Sequence, residues 1–360
     1  MFQFILKRLF YGFLVLFGVI VIVFFLFNVL PGDPARMMQG QRADIASIES
    51  VKKEMGLDRP LYIQFLNYLN DISPISLYDK INTNSSLFLN EQNYKPFVIL
   101  FKIGQSKVIV LKQPYLRRSY QSQRKVSDIL SEAFPLTALL AGASMLFACL
   151  VGIGLGILAA LKKDTFFDKI SLVISVFGMS LPSFFAAILM AWIFAFLLSD
   201  ITHLSMFGSL YSVDNFGRGE YLDLKNLILP AITLGIRPLA IIMELTRSSF
   251  LEVLSQDYIR TARAKGLSLY RIVFRHALKN ALNPVISSIS GWLASLLAGA
   301  VFIEYVFDWK GIGVVMVDGL EKFDFPVVMG TLLFISVILV FINIFVDIIY
   351  GVLDPRIRVQ

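Results

Sequence analysis

Six long apolar stretches limit what this chain can fold into more than any other feature of its sequence. Each can cross the roughly 30 Å hydrocarbon core of a bilayer as a helix of about 20 residues. Five of them hold no charged residue, and the fourth holds Arg237 and Glu244. The predicted spans are residues 9–30, 134–161, 170–199, 227–246, 284–303 and 326–346. The sequence therefore predicts an all-α polytopic membrane protein with six transmembrane helices.

The composition agrees with a membrane protein, since 56% of the 360 residues are hydrophobic and only 16% are charged. The single cysteine, Cys149, lies inside an apolar span, which excludes disulfides within the chain and cysteine metal sites. The first apolar run is longer than the roughly 7–15 residues of a signal peptide, and no small-residue cleavage site follows. We therefore interpret it as a retained helix.

The distribution of basic residues predicts the orientation. Lys7 and Arg8 precede the first span, and the loop 248–281 holds six Lys or Arg against two acids, whereas the loop 304–325 holds two against five. Because cytoplasmic loops carry an excess of Lys and Arg, both termini and the loop 248–281 are predicted to be cytosolic. This topology also explains the net charge of +7 without nucleic acid as a partner.

These spans divide the chain into an N-terminal helix, a long extracytoplasmic loop, a core of five helices and a short cytosolic tail. Residues 44–70 of the outer loop show helical apolar spacing, with Leu57, Leu61, Phe65 and Leu69 four residues apart. An insertion at about 73–125 differs in composition, and its residues 97–112 read as a β-hairpin around Gly104. The predicted domains are 1–30, 31–133, 134–351 and 352–360.

Two irregular positions within the spans are candidates for a translocation path. Pro182 and Ser183 lie in the middle of the third span, where proline kinks a helix, and the kink either serves packing or lines a water-filled path. Arg237 lies near the middle of the fourth span, where a lone charge costs about 2.5–3.5 kcal/mol. Three roles stay open for Arg237. It binds a substrate carboxylate in the path, it pairs with another subunit, or it makes a structural contact between helices.

The cytosolic loop contains a patterned basic segment, 257–284. Residues 255–265 favour a helix, and Gly266 marks its C-terminal end. The small residues Thr261, Ala262 and Ala264 allow the close approach of a partner's groove, and the arginines fix its orientation. Attraction to anionic lipid is the alternative, although it needs only charge.

The run TARAKG followed by RHALKNALNP resembles the EAA loop of ATP-binding-cassette (ABC) importer permeases, in the oligopeptide, dipeptide and nickel branch. The stretches ILKRLF, LPGDPA, GLDRPLYIQFLNYL, LPSFFAAIL, VFIEYVFDWKGIG and the C-terminal FPVVMGTLL to DPRIR agree with it. The resemblance covers nearly everything except about 73–125 and is strongest to B-type permeases. Arg260 replaces the glutamate of the generic motif, and Leu278-Lys279 replaces its leucine-proline pair.

This resemblance implies a type I ABC importer permease fold in a bacterial cytoplasmic (inner) membrane, and a chain that is not itself an enzyme. The implied partners are a C-type permease, two ABC ATPases that bind ATP and Mg, and an extracytoplasmic solute-binding protein. No cofactor or metal is expected on this chain. The residues implied to couple to an ATPase are Asp257, Tyr258, Arg260, Thr261, Ala262, Arg263, Ala264, Lys265 and Gly266.

Other functions stay open at this point. The cargo is a peptide, with a nickel chelate or another small solute as the alternative. No Walker A pattern occurs in the chain, so ATP hydrolysis would take place on other chains. An ion-coupled carrier is disfavoured because the spans hold only Arg237 and Glu244 as charged groups. A membrane scaffold or receptor would leave the cytosolic helix without a purpose.

Overall fold

The computed structural model describes residues 2–29, 58–82, 85, 87–213 and 219–353. The helices are α1 (Phe2–Val29), α2 (Leu61–Ile72), α3 (Glu91–Tyr94), α4 (Val126–Leu161), α5 (Phe166–Ser180), α6 (Ser183–Met190), α7 (Ser199–Thr202), α8 (Lys225–Leu254), α9 (Asp257–Ala264), α10 (Leu269–Arg271), α11 (Leu278–Ala281), α12 (Asn283–Phe307), α13 (Ile312–Glu321) and α14 (Phe325–Leu353). Two π-helical stretches, Ala191–Leu197 and Ile272–Ala277, continue α6 and α10. The strands are β1 (Ile75–Asp79), β2 (Phe97–Ile103), β3 (Lys107–Lys112), β4 (Tyr211–Val213) and β5 (Glu220–Leu222).

The apolar helices confirm the helical membrane class. Four single helices are long and apolar enough to span a membrane: Leu6–Asn28, Val126–Leu161, Lys225–Leu254 and Phe325–Ile348. Two bent pairs qualify only when each pair is one span, namely Phe166–Ser180 with Ser183–Leu197, and Asn283–Leu297 with Ala300–Phe307. The described residues thus contain between four and six candidate spans. The LPGDPA segment, the first part of the predicted outer helix and most of the C-terminal tail lie outside them.

The chain forms two compact units. Among the described residues, one unit lies within Met1–Phe10, Ala133–Val314 and Ile338–Gln360, and the other lies within Tyr11–Glu132 and Val315–Val337. In the first unit, α8 packs against α5, α6 and α12. Its main core cluster is apolar, as expected where helices bury their faces on one another, and the largest fully buried side chains of this cluster include Trp309, Phe307, Ile303, Ile242 and Leu140.

Small residues allow α4 to approach α8 closely. A Cβ placed on Gly156 would lie 2.6 Å from Cβ of Thr246, and one on Gly152 would lie 3.0 Å from the carbonyl oxygen of Leu239. A Cβ on Gly154 would meet nothing within 4 Å. Residues four apart share a helix face, so Gly152 and Gly156 form the contact and Gly154 faces elsewhere.

The second unit contains a three-stranded antiparallel sheet in the order β1-β3-β2. Tyr78 of β1 lies opposite Val108 of β3, and Val110 of β3 lies opposite Ile99 of β2. Strands β2 and β3 occupy the segment for which the sequence predicts a hairpin. Strand β1 was not predicted, because a five-residue strand gives little periodicity. It supplies the packing partner that an isolated hairpin lacks.

A polar cluster fixes this sheet to α2. Asp71, at the end of α2, accepts a hydrogen bond from the Tyr94 hydroxyl at 2.9 Å and pairs with Arg117 at 3.2 Å. Lys112 is buried and donates to the carbonyl oxygens of Asp71 and Ser73. Burial lowers the pKa of Lys112 to about 8, against the opposing effect of the Asp71 carboxylate.

Candidate functional site

The predicted coupling segment forms a short helix with defined ends. Gln256 is extended immediately before α9, and Asp257 occupies the first turn, where a negative charge is favourable. At the other end, Gly266 adopts a φ of 73°, which glycine tolerates best. The amide of Gly266 donates to the carbonyl of Arg263 at 2.9 Å. These features end the helix at the glycine that the sequence analysis singled out.

One face of α9 belongs to the protein core. Ile259 and Ala262 are buried in a cluster with Phe250 and Ile272. The other predicted coupling residues are exposed: Asp257, Tyr258, Arg260, Thr261, Arg263, Ala264, Lys265 and Gly266. Ala262 therefore seats the helix on its own chain, and the exposed surface of α9 is formed by the neighbours of Ala262.

The segment after α9 makes a hydrogen bond to this helix and adds further exposed basic residues next to it. The hydroxyl of Tyr258 accepts a hydrogen bond from Asn280 Nδ2 at 2.8 Å, which joins α9 to α11. The basic residues Arg271, Arg275 and Lys279 are all exposed. Together with Arg260, Arg263 and Lys265 they form what we call the basic surface, which suits a partner with acidic groups.

The predicted kink at Pro182 is a complete break in the helix. Helix α5 ends at Ser180, α6 begins at Ser183, and the two axes differ by 112°. Pro182 is extended, with φ of −60° and ψ of 136°, as its ring and missing N–H favour at the start of a helix. The break brings Ser183 to the edge of a cavity within the first unit.

This cavity, which we call the Arg237 cavity, also receives the second pathway candidate. It has a volume of about 80 Å³ and is lined by residues of α5, α6, α8 and α12, including Ser183, Thr233, Arg237, Trp292 and Ser295. Arg237 is exposed, and its Cζ lies 5.8 Å from the centre of the Trp292 ring. Of the three pathway candidates, Ser183 and Arg237 thus share one cavity, whereas Pro182 is not among its lining residues.

An ion pair that the sequence analysis missed joins α5 to α8. Asp168, which is 2% exposed, accepts hydrogen bonds from Nε and Nη2 of Arg247, the latter at 2.7 Å. Its Oδ2 also accepts the backbone N–H of Asp164 at 3.0 Å. The sequence offered only a weak signal for this pair. Asp168 lies at the start of one apolar helix, and Arg247 follows the predicted end of another.

A second missed residue is Glu304, in the stretch VFIEYVFDWKGIG. It is fully buried, and its Oε2 accepts the backbone N–H of Gly313 at 2.6 Å. Nearby, Trp309 Nε1 donates to the carbonyl of Leu136 at 2.9 Å, and the amide of Ile312 donates to Thr137 Oγ1 at 2.8 Å. Hydrogen bonds therefore hold the segment after α12 against Leu136 and Thr137 of α4.

The family of the chain follows from comparison with known proteins. Residues 152–359 match the family described as the inner membrane component of binding-protein-dependent transport systems. Residues 1–86 match the N-terminal part of such membrane components. The chain belongs to this family of membrane transport components.

Individual proteins are similar to this chain over almost its whole length. It is 36% identical to the di/tripeptide transport system permease protein DppB of Pseudomonas aeruginosa, covering 100% of both chains. It is 33% identical to the dipeptide transport system permease protein DppB of Alkalihalophilus pseudofirmus, over 99% of this chain and 100% of the relative. The glutathione transport system permease protein GsiC of Escherichia coli is 34% identical over 99% of both chains.

Proposed function

We propose that this chain is the B-type permease subunit of an ATP-driven, binding-protein-dependent peptide importer and forms half of its translocation path. The observation that carries the proposal is its full-length similarity to permeases named for di/tripeptides, dipeptides and glutathione. Because these relatives are named for peptides, they do not favour the alternative that the cargo is a nickel chelate. The proposed permease core comprises residues 134–351.

We infer six membrane crossings, because contacts within the first unit support a crossing by each bent pair. Arg8 pairs with Asp347 at 3.0 Å, so α1 begins at the level where α14 ends. Asp168, just after the inner end of α4, meets Arg247, near the end of α8. Helix α8 therefore runs in the same direction as α4, and the chain between them has to return across the membrane through α5 and α6.

The same reasoning applies to α12. Its C-terminal end and the segment after it lie beside Leu136 and Thr137, close to the outer end of α4. Since α8 ends on the inner side, α12 has to cross in order to reach that level. On this inference both termini and the loop 248–281 lie on one side of the membrane, and the excess of basic residues supports a cytosolic assignment.

The coupling proposal assigns the exposed face of α9 to an ABC ATPase. The exposed positions are Asp257, Tyr258, Arg260, Thr261, Arg263, Ala264, Lys265 and Gly266, while Ala262 holds the helix on the permease. Movement of the ATPases would then be passed through Phe250 and Ile272, against which α9 packs, to the transmembrane helices. Rigid packing of this kind transmits displacement because close-packed interiors do not compress.

The remaining partners follow from the proposed class. A C-type permease forms the other half of the path, two ATPases bind ATP and Mg, and an extracytoplasmic binding protein delivers cargo to the outer surface. This chain is proposed to bind no cofactor, to catalyse no reaction and to lie in the bacterial cytoplasmic membrane with both termini cytosolic.

Uptake by the reconstituted importer tests the function. Proteoliposomes that contain this chain, its partner permease and the ATPases should accumulate radiolabelled Ala-Ala only with internal ATP and external binding protein. Arg263→Glu should reduce uptake at least tenfold, because it reverses the charge of an exposed contact residue. Lys102→Glu, at an exposed position on β2 in the second unit, is the control and should retain uptake.

Two results would contradict the proposal. Accumulation of Ala-Ala by this chain alone, driven by an ion gradient, would make it an ion-coupled carrier. Failure to co-purify with any ATPase, with no uptake by the assembled components, would leave a scaffold or receptor as the better account.

A further inference from the structure

Arg237 is a charged residue of the membrane interior whose guanidinium is open to the Arg237 cavity. No carboxylate pairs with it among the described residues. The Cζ atom of Arg237 lies over the Trp292 ring, 5.8 Å from the ring centre. Glu244 lies seven residues further along the same helix, which is about 10 Å along the axis. A charge in this position is costly unless it faces water or meets an opposite charge.

The walls of the cavity combine apolar and hydroxyl groups. Leu181, Ile236 and Leu296 contribute apolar surface, which lowers the local dielectric constant and strengthens charge interactions. Ser183 and Ser295 line the same space, and hydroxyl groups can donate to an anion. The volume of about 80 Å³ holds several water molecules, or a carboxylate with part of its hydration.

Trp292 restricts where the guanidinium can point. A cation over the face of an indole ring is attracted by the ring's quadrupole, so the ring holds Arg237 without neutralising it. A guanidinium presents paired N–H donors whose geometry matches the two oxygens of a carboxylate. An ammonium group would be repelled by the same charge.

We propose that the Arg237 cavity is a carboxylate site in the translocation path, where Arg237 binds the C-terminal carboxylate of the cargo peptide. This inference rests on the proposed function, because the carboxylate belongs to a transported peptide. Ser183 and Ser295 assist through their hydroxyls, and Trp292 positions the guanidinium. The site makes the permease, and not only the binding protein, selective for peptides with a free C-terminus.

The test compares radiolabelled Ala-Ala with its C-terminal amide in the reconstituted importer, each at a concentration that saturates the binding protein. Wild type should transport the free acid faster. Arg237→Gln should lower uptake of the free acid roughly tenfold, the value of one hydrogen bond between charged groups, and leave uptake of the amide unchanged. Arg237→Lys should be intermediate, and Glu244→Gln, outside the cavity lining, should preserve the wild-type ratio.

Saturation-transfer NMR on the importer without its binding protein provides a second readout that does not depend on delivery. Ala-Ala should give a signal that is lost in Arg237→Gln. An equal loss of uptake for both peptides would instead make Arg237 a structural or intersubunit group, and an unchanged ratio with an unchanged NMR signal would exclude the site. Absence of ATP-dependent uptake of either peptide by wild type would refute the proposed function itself.

Discussion

Arg247 of α8 binds both carboxylate oxygens of Asp168 of α5, with its Nη2 at 2.7 Å from Oδ2. The Asp168 side chain is 2% exposed and that of Arg247 is 18% exposed. Two parallel hydrogen bonds between charged groups fix direction as well as distance. The pair therefore sets the relative position of two helices whose far parts line the Arg237 cavity.

Removing one partner of this pair should destabilise the protein. Asp168→Ala leaves the Arg247 guanidinium largely buried without a counter-charge, at a cost of about 3 kcal/mol. The melting temperature of the detergent-purified permease, followed by fluorescence, measures this. Asp164→Asn is the control, because Asp164 is exposed, its backbone N–H is retained, and asparagine tolerates its positive φ of 64°. An equal loss in both variants would contradict the account.

The two glycine positions on α4 should respond differently to the same substitution. Gly156→Ala places a Cβ 2.6 Å from Cβ of Thr246, which forces α4 and α8 apart and costs about 1–3 kcal/mol. Gly154→Ala meets nothing within 4 Å and, if anything, favours the helix. Thermal stability of the two purified variants checks this, and similar melting temperatures would show that Gly156 does not form the contact.

Two alanines of α9 should separate stability from coupling. Ala262→Glu buries a charge against Phe250 and Ile272, so we expect a loss of stability of more than about 2 kcal/mol. Ala264→Glu changes only the exposed face and should leave the melting temperature unchanged while it lowers peptide-stimulated ATPase activity. Stable folding of Ala262→Glu would mean that α9 does not pack as described.

The sequence predicted the features that depend on local pattern. Apolar length predicts membrane helices, and the polar run ended by Gly266 predicts α9, because both signals are contained within a few turns. The side of α9 that faces the core was not predicted, since it depends on Phe250 and Ile272, which lie in other helices. For the same reason the small size of Ala262 predicts that it faces a partner's groove, whereas it is buried against its own chain.

Long-range pairing explains the other omissions. Asp168 and Arg247 are 79 residues apart, and nothing near either one indicates the other. Pro182 predicts a kink, but a break of 112° requires the surrounding helices to accommodate it. The short strands β4 and β5 were not predicted, because a strand of three residues shows almost no periodicity in the sequence.

The outer sheet should show an unusual response to pH through Lys112. Its folded pKa of about 8 lies below its ordinary value of 10.5, so between these values the unfolded chain binds more protons than the folded one. The free energy of unfolding should therefore rise between pH 8 and about 10, by at most about 1.4 kcal/mol per pH unit. Above that range, tyrosine ionisation in the unfolded chain opposes the trend, because burial raises the pKa of Tyr94.

NMR of the full chain labelled with ¹³C-lysine measures this titration directly. A lysine signal should titrate near pH 8 and disappear in Lys112→Arg. Absence of a lysine signal that titrates near pH 8 would contradict the burial of Lys112 against the carbonyl oxygens of Asp71 and Ser73.

Photo-cross-linking from α9 tests the central claim most directly. A photoreactive amino acid placed at Arg263 in the assembled importer should form an adduct with an ABC ATPase, and the yield should change with bound nucleotide. The same amino acid at Tyr221, exposed on β5, should form none. Adducts from Arg263 with lipid alone, in every nucleotide state, would contradict the assignment of α9 as the coupling helix.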